Sequence, residues 1–222
     1  MNPAPPHVVP ILATPFGVVS LPGAIALNAE LAALFQERAR TDASPAPGST
    51  PFAYESGDDL NAWTAAPVPA LVAELQRGVR AVAASVNPID ATVFAGFELQ
   101  SRGTFAIVRP DGALGARSFP LTSWCGVYCV AAPAASTTRR DSGLLRLYES
   151  RLGTMFSDAS NSAMQLPYTP GHFGWRPVPG QLAVFPAWLT HEVAMLRAPG
   201  ELILVTMRCR FVAPGQQGWS RW

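Results

Sequence analysis

The stretch from residue 178 to residue 211 most constrains the fold, because it combines two predicted strands with a single histidine. A Pro-Gly turn opens it, where glycine can adopt a positive φ without steric cost. The apolar run Leu182–Phe185 stops at Pro186, which is typical of a buried strand whose ladder ends at a proline. After His191, the apolar and β-branched residues of Leu202–Phe211 predict a second strand. Two strands around a histidine resemble a metal-ligand hairpin in a small β-barrel, but one histidine does not make a metal site.

The composition excludes several classes of function. The chain has 222 residues, of which 49% are hydrophobic and 14% charged, and its formal net charge is +1. A globular domain with a sizeable core is therefore expected. The basic residues are scattered along the chain, so nothing indicates a nucleic-acid surface or a basic membrane patch. All sixteen are arginines, which excludes a lysine Schiff base.

The three cysteines and the N-terminus indicate a cytoplasmic protein. Cys125 and Cys129 would lie about 13 Å apart along a strand, too far to share a metal or form a disulfide. With Cys209 they make an odd number, which fits a reducing compartment. Residues 1–12 lack the charge pattern of a signal peptide, and no apolar run is long enough to predict a membrane span.

The order of predicted elements places helices before strands. Asn28 is a suitable N-cap for a helix over Ala29–Arg40, and Pro69–Val86 has the apolar stripe of a second helix. Between them, Thr41–Asp59 is rich in small and polar residues and predicts a functional or disordered loop. From Ala91 onwards the chain predicts seven or eight strands, the first of them over Thr92–Leu99. We therefore expect a mainly β protein with N-terminal helices packed on a β-sandwich or jelly roll.

Several strand sequences resemble one known family. Trp124–Tyr128 resembles a Trp-Ser-Gly-Val-Tyr strand, and Ser142–Leu147 resembles a Ser-Gly-Ala-Leu-Glu-Leu strand. Pro179–Leu182 and the longer segment Phe185–His191 resemble Pro-Gly-x-Leu and Phe-Pro-Ser-Trp-Leu-x-His. These are motifs of small bacterial Fe(II)/2-oxoglutarate-dependent oxygenases. The resemblance covers nearly the whole chain and implies one domain over 1–222, helical over 1–90 and a cupin-like jelly roll, or double-stranded β-helix, over 91–222.

The resemblance also implies an iron site that this chain has largely lost. The family places two histidines, one residue apart, before the Trp-Ser-Gly strand, and Arg117 and Phe119 stand at those positions. Arginine stays protonated and phenylalanine has no donor atom, so neither can bind iron. Leu202 matches the arginine that holds the distal carboxylate of 2-oxoglutarate, and only His191 matches a family ligand. We therefore expect no cofactor, with Fe(II) and 2-oxoglutarate bound only if other ligands rebuild the site.

Few residues are available to rebuild it. His172 lies in a Pro/Gly-rich loop before the final hairpin, while His7 lies in the N-terminal arm. Glu192 follows His191 directly, and adjacent residues of a strand point to opposite faces. Glu149 and Asp158 are carboxylates with no spacing that supports a ligand role.

The candidate site residues each have a structural alternative. His191 is the candidate catalytic residue and the single, vestigial metal ligand, or else a hydrogen-bonded structural histidine. Arg208 and Arg210 share a strand face with the family's arginine position, so they form a substitute anion grip or salt bridges at the barrel mouth. Arg117 is a surface charge or a cation that replaces the charge of the metal. The candidate pocket residues are Arg117, Phe119, Tyr128, Trp188, Leu202 and Arg208, and the aromatic ones are alternatively core.

Three functions follow from the resemblance and its missing residues. The first is a non-catalytic partner or binding subunit for an intact homologous oxygenase in small-molecule, secondary-metabolite biosynthesis, as a hetero-oligomer or a homodimer. The second is a metal-independent enzyme that binds a small anionic substrate in the same barrel and uses His191 as acid or base. The third is an active oxygenase with unconventional ligands. No membrane or nucleic-acid partner is expected.

Overall fold

The computed structural model describes residues 10, 12–43, 45–57, 59–134, 139–148, 164–169 and 171–215. His7, Glu149 and Asp158, which were weighed above as metal ligands, lie outside these ranges. The described part contains three α-helices, a short 3₁₀ turn and ten strands.

The first helix begins earlier than the sequence predicts. The three helices are α1, Ala24–Thr41; α2, Pro67–Ser85; and α3, Ala91–Ala95. Helix α1 follows Gly23, whose φ of 67° is left-handed, so the prediction of Asn28 as its N-cap is wrong. Asn28 lies inside the helix and its side-chain carbonyl accepts a hydrogen bond of 2.7 Å from the Tyr128 hydroxyl. No described helix is long and apolar enough to cross a membrane.

Helix α2 matches its predicted apolar stripe and approaches the sheet closely. Val68, Leu71, Leu75 and Val79 are fully buried along one face. At Gly78 a Cβ atom would lie only 2.6 Å from Cδ2 of Leu182, so the glycine lets the helix contact the sheet. The helix begins at Pro67. A proline suits the first turn because backbone N–H groups there have no acceptor within the helix, so the N–H that proline lacks is not missed.

The strands begin before the helices and are longer than predicted. The strand predicted over Thr92–Leu99 is wrong at its start, because Asp90 caps α3 by accepting hydrogen bonds from the backbone of Thr92 and Val93. The ten strands are β1, Gly17–Ser20; β2, Ala53–Glu55; β3, Glu98–Val108; β4, Leu114–Arg117; β5, Trp124–Ala131; β6, Leu145–Tyr148; β7, His172–Trp175; β8, Gln181–Pro186; β9, His191–Val193; and β10, Leu202–Val212.

Two antiparallel sheets form the predicted double-stranded β-helix. The larger sheet has the order β1-β8-β5-β10-β3-β2 and the smaller one β4-β9-β6-β7. Strands β1 and β2 come from the region expected to be helical and form the two edges of the larger sheet. The segment predicted as a loop between α1 and α2 therefore delivers a strand, β2, to the barrel.

The larger sheet separates two apolar cores. On one face, Phe35 of α1 stacks on Phe105 of β3 with ring centroids 4.2 Å apart, and the helices cover this side. On the other face, Leu204 and Phe185 pack between the two sheets. Residues of β10 alternate between these cores, as the pleat requires. The space between the two sheets is the barrel lumen, where the family resemblance expects a metal.

Candidate functional site

Arg117 and His191 lie opposite each other in the smaller sheet. The β4–β9 register pairs the two residues directly, so both side chains point to the same face. That face is the lumen, since both residues line the same internal cavity. The family resemblance leads us to expect a histidine at position 117. The structure places a guanidinium there instead.

The guanidinium of Arg117 is bound by Glu55 from the other sheet. Its Nη2 donates to Oε1 of Glu55 at 3.0 Å, and Nη1 donates to Oε2 of the same carboxylate. The two side chains are 35% and 15% exposed, so the ion pair is partly shielded from water. The hydrogen bonds that Arg117 donates to Glu55 raise the pKa of Arg117 against the opposing effect of burial. The pair joins β4 to β2 across the lumen.

His191 is buried and committed to its own backbone on one side. The ring is 4% exposed, and Nδ1 lies 3.0 Å from the Leu189 carbonyl oxygen. A carbonyl only accepts, so Nδ1 carries the proton and Nε2 keeps its lone pair. Burial lowers the pKa of His191, and the charge of Arg117 lowers it further, while the Leu189 bond acts in the opposite direction. The imidazole is therefore neutral at pH 7.

Two phenylalanines enclose the imidazole of His191. The ring centroid of Phe119 lies 5.5 Å away and that of Phe185 lies 5.0 Å away. The backbone N–H of Phe119 donates to the Ala187 carbonyl at 2.7 Å, which fixes its position beside the histidine. On the outer side of this ring, the guanidinium carbon of Arg208 stands 5.0 Å from the centroid. An apolar ring thus fills the second position at which the resemblance expects a metal ligand.

Leu202 belongs to the apolar packing rather than to an anion site. It is 2% exposed, pairs with Val108 in the β10–β3 ladder and packs in the same core cluster as Leu196. No charged group stands in its place, so the distal carboxylate of 2-oxoglutarate would meet aliphatic carbon here. Burial of an unpaired carboxylate in such surroundings is strongly unfavourable.

The remaining lumen is a small cavity between the sheets. Its free space has room for about two or three water molecules. A ligand the size of 2-oxoglutarate would need side chains to move. The cavity is lined by Glu55, Thr104, Phe105, Ala106, Leu114, Gly115, Arg117, Phe119, Val127, Leu145, His191, Glu192, Val193, Leu204 and Thr206.

Two predicted pocket residues lie away from the lumen. Tyr128 points to the helical side of the larger sheet, where its hydroxyl donates to Asn28 and burial raises its pKa to about 12. Trp188 lies on the turn after β8 and is 47% exposed. The structure therefore brings together Arg117, Phe119 and His191, with Arg208 at the edge.

Comparison with known proteins identifies the fold from solved structures alone. No family model and no curated protein matches the chain. A prolyl-4-hydroxylase from Pseudomonas putida superposes with a TM-score of 0.57 and 19% identity, over 88% of this chain and 91% of that one. AviO1 from Streptomyces viridochromogenes gives 0.54 and 14%, covering 93% of each chain. HygX from Streptomyces hygroscopicus, solved with nickel, 2-oxoglutarate and hygromycin B, gives 0.58 and 15%, covering 93% and 86%.

The chain has the fold of the Fe(II)/2-oxoglutarate-dependent oxygenases. This confirms the predicted resemblance at the level of architecture, across most of the chain. Likeness at such low identity carries the oxygenase fold but not the activity. Whether the residues of this oxygenase fold suit iron is decided by the donor atoms in its lumen.

The donor set of this oxygenase-fold protein does not fit Fe(II). Non-haem iron needs three protein ligands on one face with open positions beside them. Here the Nε2 atom of His191 has a guanidinium and an apolar ring as neighbours, and Glu55 already neutralises Arg117. Among the described residues, no group of three His, Cys, Asp or Glu side chains could hold a metal ion.

The proposed substitute ligands lie on the outer face of the smaller sheet. Glu192 accepts hydrogen bonds from the Tyr148 hydroxyl at 2.6 Å and from Arg146 at 3.2 Å. His172 pairs with Tyr148 in the β6–β7 ladder, and its ring lies beside that tyrosine. Glu192 borders the cavity, but the strand register puts its side chain and that of His172 on the opposite face of the sheet from the His191 ring, so they cannot complete a site with it.

Sequence reasoning missed Glu55 and Arg102. Glu55 was hidden because its region was assigned to a loop, and the only signal was the short alternation Ala53-Tyr54-Glu55. Arg102 was missed because the predicted strand ends at Leu99, whereas β3 continues to Val108. Its partner across the ladder, Arg208, was found by strand alternation alone.

Proposed function

We infer that this protein is a non-catalytic relative of the oxygenases, acting as a partner or binding subunit for an intact oxygenase in small-molecule biosynthesis. The observation that carries this proposal is the Arg117–Glu55 ion pair in the lumen, with Arg117 at a position where the family resemblance expects a metal ligand. A guanidinium next to His191 has no lone pair to offer a metal, and the carboxylate of Glu55 is already bound to it. The proposal places the protein in the cytoplasm.

The other two replaced positions support the same conclusion. Phe119 packs on His191, and Leu202 removes the expected contact to the keto acid. Each replacement is compatible with a well-packed barrel, so the fold has kept its stability while the expected ligands are gone. An iron-dependent oxygenase of the family type needs metal ligands at the first two positions, and neither arginine nor phenylalanine can be one.

The solved relatives suggest the biosynthetic setting. SnoN, of the same fold, is an α-ketoglutarate-dependent epimerase from nogalamycin biosynthesis, and HygX was crystallised with hygromycin B. We extend this setting to the present chain. Large side chains left on the surface offer contact area for an oxygenase partner or a second copy: Ile25, Phe52, Leu121 and Trp188 are between 47% and 91% exposed.

A metal-independent enzyme is the alternative, and one observation favours it. His191 keeps a neutral imidazole with Nε2 unprotonated, which is the form of a general base. The small cavity argues against it, because a substrate would need to displace Phe119 or the Arg117–Glu55 pair.

Co-expression tests the partner role directly. The chain would be produced with each intact oxygenase encoded in the same genome, and complexes would be measured by native mass spectrometry. We expect a stable complex with one of them, and an activity of that oxygenase that depends on this chain. A protein that stays monomeric with every candidate and converts a small anionic substrate by itself would contradict the proposal.

A further inference from the structure

Two arginines face each other at the open edge of the lumen. Arg208 of β10 and Arg102 of β3 are direct partners in the antiparallel register, so their side chains lie on the same face. Two residues further in, the same strands carry Thr206 and Thr104, which line the cavity. The arginine pair therefore sits on the rim of the barrel.

Like charges directly opposite each other in a sheet are unfavourable unless something neutralises them. Arg208 makes no hydrogen bond or ion pair with any described residue, and its only specific contact is the Phe119 ring. Among the described residues, the ionisable groups close enough to affect the pKa of Arg208 are Arg102, Cys125 and Asp59. Cys125 is a buried thiol whose pKa is raised by burial, so it supplies no negative charge.

Among the described residues, Asp59 is the carboxylate that contacts the pair, and one of its two oxygens is bound to the backbone. Oδ2 of Asp59 lies 4.0 Å from Nε of Arg102, at the outer limit of an ion pair. Its other oxygen accepts hydrogen bonds from the backbone N–H of Gly103 at 3.0 Å and of Asn61 at 3.1 Å. Asp59 thus fixes the turn before α2. With one carboxylate for two guanidinium groups, the described part of the chain leaves the pair with an excess positive charge.

The neighbouring arginine on the same strand forms a hydrogen bond with a side chain of the adjacent strand. Arg210 follows on the same strand face, and its Nε donates to Gln100 at 2.7 Å. Arg208, by contrast, has no such acceptor among the described residues, so its donors are available to a ligand or to water. Arg208 is also half-buried, which makes an unneutralised charge less favourable than on an open surface.

We propose that Arg102 and Arg208 form a binding site for a small oxyanion, a carboxylate or phosphate group of a small molecule, at the mouth of the barrel. Two guanidinium forks on adjacent strands match the geometry of such a group, and the apolar ring of Phe119 holds one of them in place. The site lies outside the cavity and uses none of the positions that the resemblance assigns to iron or 2-oxoglutarate. It does not depend on the partner role proposed above.

Isothermal titration calorimetry at constant ionic strength tests this site, with inorganic phosphate and succinate as separate probes and chloride as the balancing salt. We expect at least one probe to bind at one site per chain. Binding of phosphate alone identifies a phosphate-bearing ligand, and binding of succinate alone a carboxylate. Failure of both probes to bind the wild-type protein would overturn the proposal.

Variants locate the binding. Arg208→Gln should weaken it by about tenfold or more, because charge-assisted hydrogen bonds are lost. Arg208→Lys keeps the positive charge but lacks the forked guanidinium, so its anion affinity should lie between those of the wild type and Arg208→Gln. The control is Arg197→Gln, which removes an arginine paired with Asp111 elsewhere and should leave affinity unchanged. Equal affinities for wild type and Arg208→Gln would overturn the site.

Stability measurements guard against a folding artefact. Without anion, Arg208→Gln should unfold close to the wild-type temperature, because the loss of the Phe119 ring contact is offset by the relief of like-charge repulsion. Phosphate or succinate should raise the unfolding temperature of the wild type and not that of the variant. If neither anion raises the unfolding temperature of the wild type, or if both raise that of Arg208→Gln equally, the proposal is overturned.

Discussion

Arg117 and His191 are direct cross-strand partners, and the guanidinium of Arg117 is held by Glu55 from the opposite sheet. The consequence is that a position expected to bind a metal now forms a bridge between the two layers of the barrel. The charge that iron would have supplied is supplied by an arginine, and a carboxylate balances it. The stability of the barrel should therefore depend on this pair.

Replacing Glu55 by Gln should reveal the strength of that bridge. The variant leaves a partly buried guanidinium without its carboxylate, which should cost about 1–3 kcal/mol of unfolding free energy. Urea denaturation measures the change. Glu37→Gln is a matched control because Glu37 also pairs with an arginine, but on an exposed helix surface. Its effect should stay below about 1 kcal/mol, and equal effects would show that the lumen pair is no stronger than a surface pair.

The buried hydrogen bond between Tyr128 and Asn28 should tie α1 to the larger sheet. Asn28→Ala leaves the tyrosine hydroxyl without a partner and should destabilise the protein by about 1–3 kcal/mol. Tyr128→Phe removes the other member of the pair. A double-mutant cycle by urea denaturation should give a clear coupling energy, since the two groups are in contact. If the effects of the two substitutions on the free energy of unfolding were additive, the two side chains would not be energetically coupled, against the prediction.

Stability should fall as the solution becomes acidic because of His191. Its folded-state pKa lies below the unfolded value of about 6.5. Below that pH the unfolded chain binds a proton that the folded chain does not, so the free energy of unfolding decreases with falling pH and is constant above it. Urea denaturation at several pH values between 5 and 8 measures the slope. His191→Gln should flatten it, whereas His172→Gln, on the outer face, should not; identical slopes in all three proteins would contradict this.

Restoring the two missing imidazoles should restore metal binding. Arg117→His with Phe119→His places two imidazole side chains beside His191, on positions that both line the cavity. Nickel affinity, measured by calorimetry, should rise at least tenfold over the wild type. The single variant Phe119→His is the control and should gain much less, because Arg117 still supplies no donor atom for the metal. If the double variant gains nothing, the strand register inferred from the resemblance is wrong.

The sequence was sufficient to predict the barrel fold. It was not sufficient to predict the contacts that Arg117 makes inside the barrel. The apolar runs around His191 and the short motifs predicted the strands, because buried strands need continuous hydrophobic residues. Asn28 was misplaced because asparagine can serve either as a helix N-cap or as a buried hydrogen-bond partner, and the local sequence does not distinguish the two roles. Glu55 could not be placed because its role depends on a contact with a residue 62 positions away, which no local pattern encodes.

The most direct test of the central claim is anaerobic titration of the protein with Fe(II) and 2-oxoglutarate, following the charge-transfer absorption of their chelate. HygX, which has the same fold and was crystallised with nickel and 2-oxoglutarate, serves as the positive control. The account predicts no chelate absorption for the wild-type protein, because Arg117 and Phe119 stand where ligands are expected. A saturable band with one iron per chain, lost in His191→Ala, would contradict it.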